Sequence, residues 1–115
     1  MKLEVGMYVR TKRGTFDRFI TSHKNESLTW YTFEDRGNIT NPENYIIKAS
    51  HNIIDLIEVG DYVNGLQVYE TGTFGHNGKT FCRLYGNVAP FYEEDIKSIV
   101  TKEMFANAEY KVETN

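Results

Sequence analysis

The side chains most able to do chemistry stand near the start of the chain. Arg10, Lys12, Arg13 and Arg18 lie within MYVRTKRGTFDRFIT, and Lys24 follows shortly after. Forked guanidinium groups suit phosphate or carboxylate partners. Alternation along a strand puts Arg10 and Lys12 on one face, with Arg13 at the tip of a turn. Trp30, Tyr31 and Phe33, in LTWYTFED, offer ring faces for stacking bases; the same alternation lets Trp30 and Phe16 point into a core instead. This basic hairpin is therefore either a partner-binding surface or a solvated one. Opposite in sign is the trio Glu93, Glu94 and Asp95. Three adjacent carboxylates in an extended chain point to different faces, which makes a poor shared cation site. They read as an acidic turn, or as a patch able to occupy the basic channel of a nucleic-acid-binding enzyme.

Other reactive residues are isolated. His23, His51 and His76 all fall in expected loops or turns, and none has a second histidine at metal-ligand spacing. Cys82 is the single cysteine, so neither an internal disulfide nor a cysteine zinc cage can form. It alternates with Phe81 and Leu84 in KTFCRLYG, as a small buried thiol does. No G-x-S-x-G elbow or phosphate-cradling glycine loop occurs, and Gly72, Gly75 and Gly78 lie between strands as turn formers. The expectation is a non-enzyme, with no catalytic residue, no metal and no cofactor.

The 115 residues hold 40% hydrophobic and 25% charged side chains, the proportions of an ordinary globular domain. Aromatic residues reach 14%, and aromatic and β-branched residues favour pleated, half-buried surfaces. An all-β fold with short helical turns is expected. The net charge of −3 gives no chain-wide attraction to nucleic acid or anionic membrane. Residues 1–27 nevertheless carry six Lys/Arg against three Asp/Glu. No apolar run approaches the roughly 20 residues that span a bilayer, and no charged-then-apolar leader opens the chain. The cytoplasm is the expected compartment. Abundant Asn, Ile, Tyr, Lys and Phe with scarce Ala and Pro match AT-rich codons, pointing to a low-GC bacterium or its phages.

The chain repeats itself. LEVGMYV at residues 3–9 returns as IEVGDYV at 57–63, and PENYIIKAS at 42–50 returns as YEEDIKSIV at 92–100. Ser50 and Thr101 each stand as an N-cap before about one helical turn, and residues 109–112 read as a last strand. In the first copy, Lys12-Arg13-Gly14 turns a hairpin, residues 28–35 form a third strand, and Asp35-Arg36-Gly37-Asn38 turns after it. In the second, LQVYETGTF and KTFCRLYG are joined through Gly75-His76-Asn77-Gly78, whose Asn-Gly step tolerates positive φ. Two units follow, 1–56 and 57–115, each with four or five strands in about 50 residues. Such a length suits a small SH3-like barrel or curled sheet. Units this small are marginal alone, so packing against each other or a second chain is expected.

The strand opening "VGDYV" followed by a basic hairpin resembles SH3-like and KOW-like barrels. IIDLIEVGDYVNG together with YEEDIKSIVTKEMF is similar to small accessory proteins of phages and prophages of low-GC Gram-positive bacteria. That resemblance covers nearly the whole chain and implies a mobile-element origin, without implying catalytic residues. Chains of this size and origin are often accessory proteins, and the expected role is binding and inhibiting a bacterial host protein, a defence component first, as anti-CRISPR proteins do. Arg10, Lys12, Arg13, Arg18, Lys24, Glu93, Glu94 and Asp95 are the candidate contacts. The alternative is a nucleic-acid-binding barrel using the hairpin of residues 10–18; a small-ligand sponge or an enzyme comes third.

Overall fold

The computed structural model describes residues 2–108. The chain is mainly β, and it divides into two units, Met1–Ile57 and Glu58–Asn115. The first contains β1 (Tyr8–Thr11), β2 (Phe16–Lys24), β3 (Thr29–Phe33), β4 (Gly37–Ile39) and β5 (Ile46–Ser50), with 3₁₀ turns at Pro42–Asn44 and Ile53–Leu56. The second contains β6 (Tyr62–Val63), β7 (Leu66–Thr73), β8 (Thr80–Leu84) and β9 (Ile99–Val100), a 3₁₀ turn at Glu93–Asp95, and helix α1 (Lys102–Ala108). All strand pairs are antiparallel. The all-β class expected from the sequence is what the structure has, and among the described residues neither sheet closes into a barrel. The strand expected at 109–112 lies outside the described residues.

The sheet orders are β4-β3-β2-β1-β5 and β8-β7-β6-β9. In both, the unit's opening strand lies between its hairpin partner and its last strand. Finer details agree as well. Gly6 N–H donates to the Phe19 carbonyl at 2.9 Å, and Gly60 N–H to the Val68 carbonyl at 2.9 Å. Phe19 and Val68 are both buried, and each precedes a register shift in its strand pair. Both glycines have positive φ, +90° and +98°, a conformation costly to any residue with a Cβ. The phrase "EVG" is thus a bend that hands the chain into the sheet. Among the described residues β4 has no full counterpart in the second unit, where a single bridge, Cys82 to Phe91, takes the place beside β8.

Each sheet buries one apolar face. Val9, Phe19, Phe33 and Ile46 form the first core, with Leu3, Tyr31, Ile39, Tyr45 and Ala49 packed around it. Val63, Val68, Phe81, Cys82 and Leu84 are the buried apolar residues of the second unit's strands. Burial pushes the Cys82 thiol up, and the Asp95 carboxylate adds to the rise. Helix α1 starts as its sequence suggests, with the Met104 N–H donating to Thr101 Oγ1 at 3.1 Å. Ser50 plays a different part: it ends β5, donates to Asp55 Oδ2 at 2.6 Å, and accepts from the Asn52 N–H. Asn52, not Ser50, is the residue flanking that 3₁₀ turn.

Candidate functional site

The structure disperses the basic cluster of the first hairpin. Arg10 is fully buried, with Nη1 donating to the Leu56 carbonyl at 2.9 Å and its guanidinium 5.9 Å from the Phe16 ring centroid. It is therefore no part of the surface, contrary to the expectation from alternation. The physical reason lies in β1, which is covered on both faces. Val9 enters the core, while the Ile53–Leu56 turn packs over the other side. Alternation reports which side chains share a face, not whether that face is covered. Arg18 is exposed, but it pairs with Tyr8 across the sheet, and its guanidinium carbon lies 5.5 Å from the centre of that ring. Lys24 ends β2, several strand rises beyond Arg18. Lys12 and Arg13 alone of the five stand exposed at the hairpin turn.

The acidic trio is likewise built into local structure. Asp95 Oδ2 accepts the Tyr92 N–H at 3.0 Å, and Glu94 pairs with Lys79 at 3.4 Å. The trio forms a 3₁₀ turn, in keeping with its reading as an acidic turn. The histidines are exposed; His51 lies 3.2 Å from Glu4. Among the described residues, no group of three or more His, Cys, Asp or Glu is placed to hold a metal ion. No helix of the described residues is long and apolar enough to cross a membrane.

What the fold does assemble is a pair of adjoining depressions in the first unit, and Asp17 organises them. This carboxylate is buried. Its Oδ1 accepts the N–H groups of Arg18 at 2.7 Å and Asp35 at 2.9 Å, and its Oδ2 accepts the Arg36 N–H at 3.1 Å and the Tyr45 hydroxyl at 2.7 Å. Burial on its own would raise the Asp17 pKa, but these four donors hold it below its ordinary value. Tyr45 shows the reciprocal effect: burial, then the bond to Asp17, pushes its hydroxyl well above the usual tyrosine range. One carboxylate on β2 thereby fastens the β3–β4 turn and the residue preceding β5.

A second clamp fixes the β1–β2 turn. Thr11 Oγ1 shares a 2.7 Å hydrogen bond with the Thr15 hydroxyl and accepts the Thr15 and Arg13 N–H groups. The Lys12 N–H donates to the Tyr45 carbonyl at 3.0 Å. Between these clamps lies a depression of about 600 Å³, lined by Thr11, Lys12, Arg13, Thr15, Asp35, Arg36, Asn44 and Tyr45. A second, of about 530 Å³, is lined by Trp30, Ile39, Asn38, Thr40 and Asn41 together with the same Arg36, Asn44 and Tyr45. One half is cationic, the other aromatic and amide-rich, and the three shared residues join them.

Sequence reasoning found Lys12, Arg13 and Trp30 but missed Arg36, Asn38, Asn44 and Tyr45. The stretch Asp35-Arg36-Gly37-Asn38 carried a turn signal, yet only its first two residues turn. Gly37 and Asn38 begin β4. Nothing in the sequence indicates that Asp17 draws this segment against the first hairpin. A second exposed feature lies in the other unit, where the rings of Tyr69 and Tyr85 meet at 4.8 Å, with the residues 41% and 60% exposed. No family model, curated protein or solved structure matches the chain.

Proposed function

We propose that this chain is a non-catalytic accessory protein of the phage and prophage kind, which binds and inhibits a bacterial host protein in the host cytoplasm. A defence-system component is the most plausible target. The observation that carries the binding reading is the composition of the paired depressions. Trp, Tyr and Arg are the residue types that dominate the energetics of protein interfaces, and Trp30, Arg36, Arg13 and Tyr45 border one site. Hydrogen bonds within the unit hold that site in place. Preorganisation of this sort lowers the ordering cost of association. The exposed Tyr69–Tyr85 pair adds an aromatic surface of the type enriched at interfaces. The host rests on the resemblance in IIDLIEVGDYVNG and YEEDIKSIVTKEMF, and the inhibitory role on what small chains of that origin commonly do.

The test is affinity capture from lysate of a low-GC Gram-positive bacterium, with and without nuclease, comparing the natural chain with an Arg13→Glu/Arg36→Glu variant. The proposal expects a protein retained after nuclease treatment and lost with the double variant. Retention that vanishes with nuclease would instead support the nucleic-acid reading of the hairpin.

A further inference from the structure

The partner's chemistry can be narrowed from the site itself, taking as given that these depressions bind a protein. We infer that they receive a short extended segment of the partner, laid along the open edge of β4, with an acidic side chain beside an aromatic or aliphatic one.

Three observations converge. First, β4 is the outermost strand of its sheet, and among the described residues it pairs only with β3. Its outer edge is a template for one more strand. Second, that edge borders the aromatic depression, since Asn38, Ile39 and Thr40 line it with Trp30. Tyr31 pairs with Ile39 and Thr32 with Asn38, so Trp30 lies on the Asn38 face and Ile39 on the other, and successive side chains of an added strand would fall on these two faces in turn. Asn41 and Asn44 offer both donors and acceptors to its main chain, and the Asn38 amide nitrogen stays available while its oxygen accepts from the Thr32 hydroxyl at 2.6 Å. Third, Arg36 joins this depression to the one holding Lys12 and Arg13, where Asp35 is the one carboxylate in the lining. A carboxylate there gains forked, charge-assisted hydrogen bonds.

The same charges disfavour a polynucleotide. Glu34 and Asp35 stand in the Arg36 turn and Glu43 beside Asn44, all of them exposed. Residues 1–57 carry eight Lys/Arg against seven Asp/Glu. A phosphate chain tracks a continuous positive groove, whereas one or two carboxylates need only a local cluster of cations.

The experiment presents the full chain to an array of random decapeptides and, separately, to an oligothymidylate. Trp30, the sole tryptophan, reports occupancy by its fluorescence. The inference expects selected peptides rich in Asp or Glu next to an aromatic or aliphatic residue. The strongest of them should shift Trp30 emission and slow amide exchange at residues 37–41. Arg36→Glu should weaken it at least tenfold and Arg36→Ala less, with Arg18→Glu leaving affinity unchanged. Peptides without acidic enrichment, binding indifferent to Arg36, or a Trp30 response to the oligothymidylate alone would each overturn it. Should neither probe bind while lysate capture still yields a protein, the extended acidic segment is wrong and the protein-partner reading stands.

Discussion

Tyr45 donates its hydroxyl proton to Asp17 at 2.7 Å, across 28 positions of sequence. The bond ties the residue before β5 to the strand that leaves the first hairpin. It couples two ionisable groups whose pKa values move apart, Asp17 down and Tyr45 up, so the fold of the first unit is sensitive to pH at both extremes. Because the Asp17 pKa is depressed on folding, its contribution is complete above the unfolded value of about 4 and fades as pH falls below it. Because the Tyr45 pKa is raised on folding, its contribution is complete below about pH 10 and fades as pH rises further. Asp17→Asn should cost about 2 kcal/mol at neutral pH and flatten the acid limb. Tyr45→Phe should cost about 1 kcal/mol and flatten the alkaline one. Urea unfolding followed by Trp30 fluorescence reads this unit directly.

Arg10 provides a contrast with its exposed neighbours. Arg10→Ala removes a buried side chain and the Nη1 bond to the Leu56 carbonyl, so a loss of about 2–3 kcal/mol is expected. Arg13→Ala, at the exposed tip, should change stability by less than about 0.5 kcal/mol. Equal effects in thermal melts would contradict the burial of Arg10. Charge reversal at Arg10 would test the core, not the partner surface.

The repeated glycines make a paired prediction. Gly6→Ala and Gly60→Ala each force a Cβ into a positive-φ conformation, and each should cost about 1–2 kcal/mol. The added carbon at Gly60 also comes within 3.4 Å of Lys102 Cδ, while that at Gly6 meets nothing nearer than 3.9 Å. Gly75→Ala meets no atom within 4 Å and has no positive φ, and should be neutral to within about 0.5 kcal/mol. Far-UV circular dichroism during denaturation follows both units.

Gly72 is constrained by space alone. A Cβ there would lie 3.0 Å from Phe81 Cζ, and Phe81 is held in a 4.2 Å stack with Phe74. Gly72→Ala should destabilise by about 1–3 kcal/mol and alter the near-UV aromatic signal. Adding Phe81→Leu should restore part of the stability lost to the clash, which a purely conformational effect at residue 72 would not allow.

These residues also mark what could be read without coordinates. The hairpin turn at Lys12-Arg13-Gly14, the Gly75–Gly78 loop and the twice-used "EVG" bend were legible because local rules govern them: turn chemistry, alternation and glycine conformation. Arg10 was misplaced because its cover comes from Leu56, 46 positions away. Tyr45 and Arg36 were overlooked because the carboxylate that gathers them lies on another strand, and no local pattern announces a contact of that range. The equivalence of Ser50 and Thr101 also fails in detail. Tyr8 pairs with Ser50 and Tyr62 with Val100, so the strand pairing follows the match of PENYIIKAS to YEEDIKSIV, in which Ser50 stands opposite Val100 and not Thr101.

Among the described residues a single bridge stands where the first copy has β4, and this difference bears on how the two copies are free to diverge. Both retain the same glycine-to-carbonyl bond and a buried residue at the same place in the sheet, so substitutions at Phe19 and Val68 should be tolerated equally badly. Beyond that shared frame, selection has different material to act on. On the proposed binding role, residues 34–45 of the first copy keep particular functional groups, whereas residues 86–92 of the second need only preserve the Cys82–Phe91 bridge and its surroundings. Saturation mutagenesis scored once for folding and once for partner capture should separate these histories. The first copy would show a band of positions silent in folding yet intolerant in capture, and the corresponding stretch of the second would show none.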